Sequence, residues 1–419
     1  MGTTPADELN ERLAAAHPAA AALLSGLGRR AFYPRGVPAQ AAEAAGCRFN
    51  ATIGQLTDGH GGALPLPAMA RVLGPLGRGV LYGRQGGETA LRAAWRGRLL
   101  RDGAPESVGT PLVTVGITHG LALAADLFAG RGTPVLVPAP GWGNYRHIFG
   151  MRRGAAVEGV PVLDGDRLAV DALAARLARL DRPAVLILNF PSNPLGYVPS
   201  PAEAARLVEV VAETPVPLAV LLDDAYAHMV WDGTRQATSL FGALVRRGGP
   251  RVVPIKLDGA TKELFFFGGR VGFFTVGLEG AAAAVLEEKA MGVLRATVSS
   301  CPHPSQLAAL AALEDPALDA EVEALRELIR RRGEALRAAL DAHGLRPLPF
   351  HGGFFCLLPV PGDAEALRRR LLARGVGVVS HPEVGAIRLA YASLTAEDAA
   401  PMMEIIADTL RDHASASPG

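Results

Sequence analysis

Between residues 111 and 276, short and continuously apolar runs alternate with stretches whose apolar residues recur at helical spacing, and few folds satisfy that pattern. The runs at 111–115, 134–137, 184–188, 217–222 and 251–255 read as strands. The stretches at 121–128, 170–180 and 202–213 read as helices, and 271–276 is a further strand close behind the last. Strands apolar on both faces must be covered on both faces, so the pattern predicts βαβ units and a mostly parallel sheet between helical layers. Near residue 305 the character changes. Residues 318–343 carry one long amphipathic, charge-laced helical pattern, followed by short strand patterns at 353–358, 375–379 and 386–390. The expected architecture is α/β, with a large domain over 61–310 and a smaller α+β domain over 311–419. Residues 1–60 form an N-terminal arm and part of the small domain, onto which the Ala-, Gly- and Pro-rich stretch 14–60 is expected to wrap.

Polar and unusual residues gather where the predicted strands end: Thr118, Trp142, Asn193, Asp223, Tyr226 and Lys262. Open α/β sheets bind ligands at the carboxyl ends of their strands. Lys262 is chemically distinctive, because of 42 basic residues only Lys256, Lys262 and Lys289 are lysines. Arginine cannot form an imine with an aldehyde, whereas lysine can once its ammonium loses a proton. The turn Asn189-Phe190-Pro191-Ser192-Asn193-Pro194-Leu195-Gly196 follows one apolar run, and Asp223-Asp224-Ala225-Tyr226 closes another. Arg270-Val271-Gly272 begins eight residues beyond Lys262, and Arg388 interrupts an apolar strand pattern. Taken singly, each has an ordinary structural explanation: a turn, a helix cap, a paired buried arginine.

Together and in this order, from about Asn50 to Leu394, these motifs resemble the aspartate aminotransferase-like family of pyridoxal-phosphate enzymes, the class I and II aminotransferases of fold type I. The resemblance implies a seven-stranded, mostly parallel large-domain sheet flanked by helices, a pyridoxal 5'-phosphate cofactor, and no metal. It gives Lys262 the covalent link to the cofactor aldehyde and the later proton transfer. Asp223 would pair with the pyridine nitrogen and so make the ring an electron sink; Asp224 is the neighbouring acid, less favoured by its spacing to Tyr226. Tyr226 and Asn193 would hydrogen-bond the ring's 3' oxygen. Gly116, Ile117 and Thr118, where a strand meets a helix start, would offer N–H groups to the phosphate, joined by Thr261 and Arg270. Tyr82 would reach the neighbouring subunit's phosphate, and Trp142 would stack on the ring.

For the substrate, the resemblance makes Arg388 the clamp on the α-carboxylate and Gly54 part of the loop that closes over it, with Asn193 and Trp142 beside them. Arg295 matches the segment where dicarboxylate-specific members place an arginine from the partner subunit, which favours aspartate or glutamate; the rival reading is a surface helix position. A homodimer with shared active sites is implied as well. The sequence departs from the family in four places. Gly259 replaces a hydroxyl residue three positions before the lysine, so that phosphate contact is missing or supplied elsewhere. Glu263 follows the lysine, where it reads as a solvated acid at a helix start. Leu195 replaces the commoner threonine, and His119 fills a slot that is usually small or polar.

The expected function is transfer of an amino group between an α-amino acid and a 2-oxo acid by a ping-pong route. A lyase, decarboxylase, racemase or amino-acid oxidase using the same cofactor is the nearest alternative. A non-catalytic cofactor-binding regulator is more remote, because residues 1–50 leave little room for a DNA-binding domain. A net charge of +1 gives no electrostatic case for nucleic acid or a membrane surface. Cys47, Cys301 and Cys356 are odd in number and far apart, indicating neither a disulfide framework nor a zinc site. Asp7, Glu8 and Glu11 do not fit a secretory signal, and no apolar run approaches the roughly 20 residues of a membrane helix. A cytoplasmic protein is expected.

Overall fold

The computed structural model describes residues 83–416 continuously, residues 43–52 and 66–72, and scattered positions elsewhere before residue 83. A short strand β1 (Phe49–Asn50) belongs to the smaller domain. The large domain is built on seven strands: β2 (Leu112–Val115), β3 (Pro134–Ala139), β4 (Ala156–Pro161), β5 (Ala184–Leu188), β6 (Leu218–Asp223), β7 (Val252–Asp258) and β8 (Val271–Val276). Their order across the sheet is β2-β8-β7-β6-β5-β3-β4. β8 runs antiparallel to both neighbours, and every other pairing between adjacent strands is parallel. The mostly parallel seven-stranded sheet is therefore present as expected.

Two cores explain why these strands are apolar throughout. Leu221 of β6 and Ile255 and Leu257 of β7 pack on one face with the helix α1 (Thr89–Arg101) and the helix α2 (Gly116–Phe128). Val220 and Leu222 of β6 pack on the other face with α3 (Val170–Leu177) and α4 (Pro201–Ala212). Burying each such aliphatic side chain stabilises the fold by roughly 1.5–3 kcal/mol. The start of α4 is written locally: Ser200 Oγ accepts from Glu203 N at 3.3 Å, Glu203 Oε2 accepts from Ser200 N at 2.7 Å, and Pro201 fills the first helical position.

The helix α5 (Gly280–Thr297) closes the large domain's flank, and the long helix α6 (Leu318–Ala342) leads out of it. Leu318 and Val322 sit in the large core, whereas Ile329, Leu336 and Leu340 sit in the small one. The smaller domain has an antiparallel sheet of β9 (Cys356–Pro359), β11 (Val379–His381) and β12 (Ala386–Leu389), with β12 in the middle. β10 (Val376–Gly377) pairs in parallel with β1, and Ala51 O accepts from Ala390 N at 2.9 Å. Residues 49–51 thus dock on this domain. Among the described residues, no helix is long and apolar enough to cross a membrane.

Because only β8 is reversed, the carboxyl ends of β2, β5, β6 and β7 and the start of β8 share one edge of the sheet. The site forms there.

Candidate active site

At that edge a cavity of ≈ 160 Å³ is bounded by Lys262, Asp223, Tyr226, Arg270, Trp142 and Asn193. Ile117, Thr118, Thr261, Asn189, Ala225 and Tyr145 complete it. Lys262 lies in the short turn Ala260–Glu263 that β7 feeds directly. Its Nζ stands 5.4 Å from the centre of the Tyr226 ring and 5.9 Å from that of Phe267. Burial pulls its pKa down to about 8, with nearby Asp223 opposing the shift and Arg270 adding to it. A neutral amine is thus available near physiological pH.

Asp223, at the end of β6, is buried. Tyr145 Oη donates to its Oδ2 at 2.6 Å and Ala225 N to its Oδ1 at 3.3 Å. Burial pushes the carboxyl up to about 6, the Tyr145 hydrogen bond working against it and neighbouring Asp224 with it. Behind it, Asn189 Nδ2 donates to the Asp223 carbonyl at 2.7 Å while its Oδ1 accepts from Asn193 N at 2.8 Å. One buried amide therefore ties the Asn193 turn to the Asp223 strand.

Arg270 precedes β8 with φ 52 and ψ 47, a left-handed conformation costing a non-glycine residue about 1–3 kcal/mol. Its guanidinium lies against the backbone of Gly116, where a Cβ would be only 2.3 Å from Nη2. The opening turn of α2 and a cation are thus brought face to face. Burial lowers the Arg270 pKa somewhat.

Arg388, in the middle strand of the small sheet, is buried and enters from the other domain. Its Nη2 donates to Thr52 O at 2.7 Å and its Nη1 to Asn193 Oδ1 at 3.4 Å, while Phe355 supports the guanidinium 4.2 Å from its ring centre. Among the described residues no carboxylate pairs with it, and its Nε lacks a hydrogen-bond partner. Gly54 lies against the same phenyl ring, since a Cβ there would be 2.2 Å from Phe355 Cζ.

Residues 56–406 match the family described as aminotransferase class I and II. The chain belongs to that family. The aminotransferase is 28% identical over 324 residues to the aspartate/prephenate aminotransferase of Thermus thermophilus, covering 74% of this chain and 79% of that one. It is 30% identical over 292 residues to the arginine–pyruvate transaminase of Pseudomonas aeruginosa, covering 68% and 70%. Among solved structures, the Thermus thermophilus aspartate aminotransferase with maleate superposes with a TM-score of 0.77 at 25% identity, covering 92% of this chain and 100% of that one. The protein is a pyridoxal-phosphate-dependent enzyme that transfers amino groups between amino acids and 2-oxo acids.

The cavity of the aminotransferase fits that cofactor. It offers an amine for an aldehyde, a buried carboxylate for a ring nitrogen, and an arginine beside a helix start for a phosphate. Thr261 Oγ1 is buried with no hydrogen-bond partner among the described residues, which leaves a donor free next to the lysine.

The structure separates the remaining sequence candidates. Tyr82 lies outside the described residues. Arg295 is exposed on α5, donating to Ser299 Oγ at 2.8 Å, and does not line its own chain's cavity. His119 Nδ1 accepts from Val115 N at 3.1 Å and so caps the turn into α2. Glu263 is not the solvated acid expected: it is buried, 3.5 Å from Arg98 and 3.9 Å from His228. Gly259 leaves no space for the family's hydroxyl side chain, because a Cβ would be 2.6 Å from Val271 O and 2.7 Å from Gly272 Cα. Tyr145, Asn189 and Phe355 escaped the sequence reading. Tyr145 carries no motif, and it precedes a wide π-type helical turn, Arg146–Met151, that no periodicity announces.

Proposed function

We propose that Lys262 is the residue that holds the cofactor covalently and then shuttles the proton between the substrate Cα and the cofactor. Asp223 pairs with the ring nitrogen and keeps it protonated, and Tyr226 and Asn193 hold the ring's 3' oxygen. Trp142 covers the ring, while the N–H groups of Gly116, Ile117 and Thr118, with Thr261 and Arg270, hold the phosphate. The bound cofactor supplies the electron sink for the pair left when the Cα–H bond breaks. Lys262 suits the proton's role because its amine is neutral over part of the physiological range, the condition a base must meet. Arg388 takes the substrate α-carboxylate, and Gly54 lies against Phe355, the ring that supports the Arg388 guanidinium. The observation that carries this reading is the convergence of Lys262 and Asp223 on one cavity.

The substrate class we favour is a dicarboxylic amino acid, aspartate or glutamate, passed through a ping-pong cycle in a homodimer whose Arg295 and Tyr82 serve the partner's site. Its supports are the exposure of Arg295 on α5 and the maleate, itself a dicarboxylate, held by the Thermus relative. The division of the chain at 60 and 310 is proposed too, with α6 shared between the two cores. The test is an absorbance titration of the cofactor-loaded protein with single amino acids, alongside Lys262→Ala. Conversion to the pyridoxamine form, led by aspartate or glutamate, is expected. In Lys262→Ala the lysine-linked absorbance disappears and turnover falls at least about a hundredfold. Full turnover in that variant overturns the lysine's role, and preference for a monocarboxylic amino acid overturns the substrate class.

A further inference from the structure

On the reverse side of the strands that carry the site lies a second set of ionisable groups. Asp223 ends β6 and Asp224 follows it directly, and their side chains meet different surroundings. Asp223 meets the cavity; Asp224 meets Lys256 of β7 in the interior. Lys256 Nζ stands 2.5 Å from Asp224 Oδ2 and 3.4 Å from Asp258 Oδ2, and the residue keeps only 1% of its surface exposed. Ser239 Oγ donates to the same Asp224 oxygen at 2.5 Å. Asp258 closes β7, and the next four residues lead to Lys262.

The ammonium therefore joins the ends of two strands that each deliver one half of the reactive pair. Leu222 and Lys256 are directly paired in the sheet, as are Asp223 and Leu257, and Asp224 N donates to Leu257 O at 2.9 Å. A buried ion pair gives little net stability over a packed apolar pair of the same volume, because two desolvations offset the attraction. A geometric role is the alternative to a stabilising one. Lysine is also scarce in this chain, and one of its three lies at this point.

We propose that Lys256 is a positioning residue: by gripping Asp224 and Asp258 it fixes the ends of β6 and β7, and with them the placement of Asp223 relative to Lys262. This rests on the roles proposed above for those two residues. Reactive groups displaced by about 1 Å lose on the order of a hundredfold in rate, so slack at these strand ends has a chemical consequence.

The charged groups around Lys256 also include Glu263. Beyond it stand Arg98, His228, Asp102 and Arg326, the His228–Asp102 separation being 3.0 Å. Any single substitution in this set alters the field at Lys262 as well as the geometry. The paired variant Lys256→Met/Asp224→Asn removes one positive and one negative charge and so leaves the net charge as it was.

The experiment is a pH titration of the visible absorbance of the lysine-linked cofactor, with the rate of cofactor loss on dilution measured in parallel. Wild type, Lys262→Ala, Lys256→Met/Asp224→Asn and Asp258→Asn are compared, each loaded with pyridoxal phosphate. The expected result is a midpoint displaced by at least about half a pH unit in the paired variant, with cofactor loss several-fold faster. In Asp258→Asn, which replaces the ionic arm of the grip by a neutral amide and keeps Lys256–Asp224, cofactor loss is faster too. A folded paired variant with the wild-type midpoint and retention overturns the proposal. If that variant does not fold, Asp258→Asn decides: wild-type cofactor retention there overturns it. Lys262→Ala separates the two levels. Persistence of the lysine-linked absorbance in that variant defeats the reading of the site itself, whereas its loss leaves that reading standing whatever Lys256 does.

Discussion

At the scale of single residues, the site is made by burial acting on ordinary side chains. Asp223 is held near 6 and Lys262 near 8, each moved chiefly by desolvation. Covalent capture of pyridoxal phosphate by the apoprotein needs a neutral amine. Its rate should rise about tenfold per pH unit up to roughly 8 and then level, as stopped-flow absorbance will read. The carboxylate works in the opposite sense: cofactor affinity that depends on ionised Asp223 is lost as pH falls through about 6. Tyr145→Phe deletes the hydrogen bond that holds this pKa down, so the loss should begin at higher pH, with affinity weakened by roughly 1.5–3 kcal/mol. Binding isotherms across pH 5 to 8 check it; unchanged isotherms would remove Tyr145 from the site. Lys262, Asp223, Tyr226, Asn193 and Arg270, which line the cavity, could be picked out in the sequence because their motifs, ordinary when taken singly, resemble one family in their order. Tyr145 and Asn189 could not. Their function lies in what they touch across 78 and 34 residues, respectively, and no local pattern encodes that.

At the scale of elements, main-chain contact decides more than side-chain type. Introducing the family's hydroxyl by Gly259→Ser drives a Cβ into Val271 O and Gly272 Cα, both main chain and unable to swing aside. It should destabilise the protein by about 1–3 kcal/mol and loosen the cofactor rather than tighten it, measured by urea denaturation and cofactor release. A stable variant with tighter cofactor would refute that account. The strands legible in the sequence were those buried on both faces. The pattern missed β4, which lies at the sheet edge with mostly exposed or half-buried residues, so its composition carries no apolar run. The 353–358 pattern began too early: the strand starts at Cys356, and Phe355 before it is used instead to support Arg388. The burial of Glu263 is not legible locally, because Arg98, 3.5 Å from its carboxylate, lies 165 residues earlier in the chain.

At the scale of the whole molecule, the proposed sharing of sites between subunits makes a quantitative prediction. Mixing Lys262→Ala and Arg295→Ala chains and reassociating them should regenerate about a quarter of wild-type sites, since half the dimers are hybrids and each hybrid holds one intact site. Activity toward glutamate measures it, and no recovery above the sum of the separate variants would place Arg295 outside the partner's site. The smaller domain was readable because near residue 305 the strand–helix alternation gives way to one long amphipathic pattern and then short strands. The way α6 is rooted in both cores was not readable, because an amphipathic stripe does not say what will cover it. The pairing of β1 with β10 sets a timetable for biosynthesis. Phe49 finds Val376 only 327 residues later, an interval on the order of tens of seconds at cellular translation rates. For that time β1 waits without its neighbour, so its pairing with β10 comes only after the large-domain sheet has been synthesised.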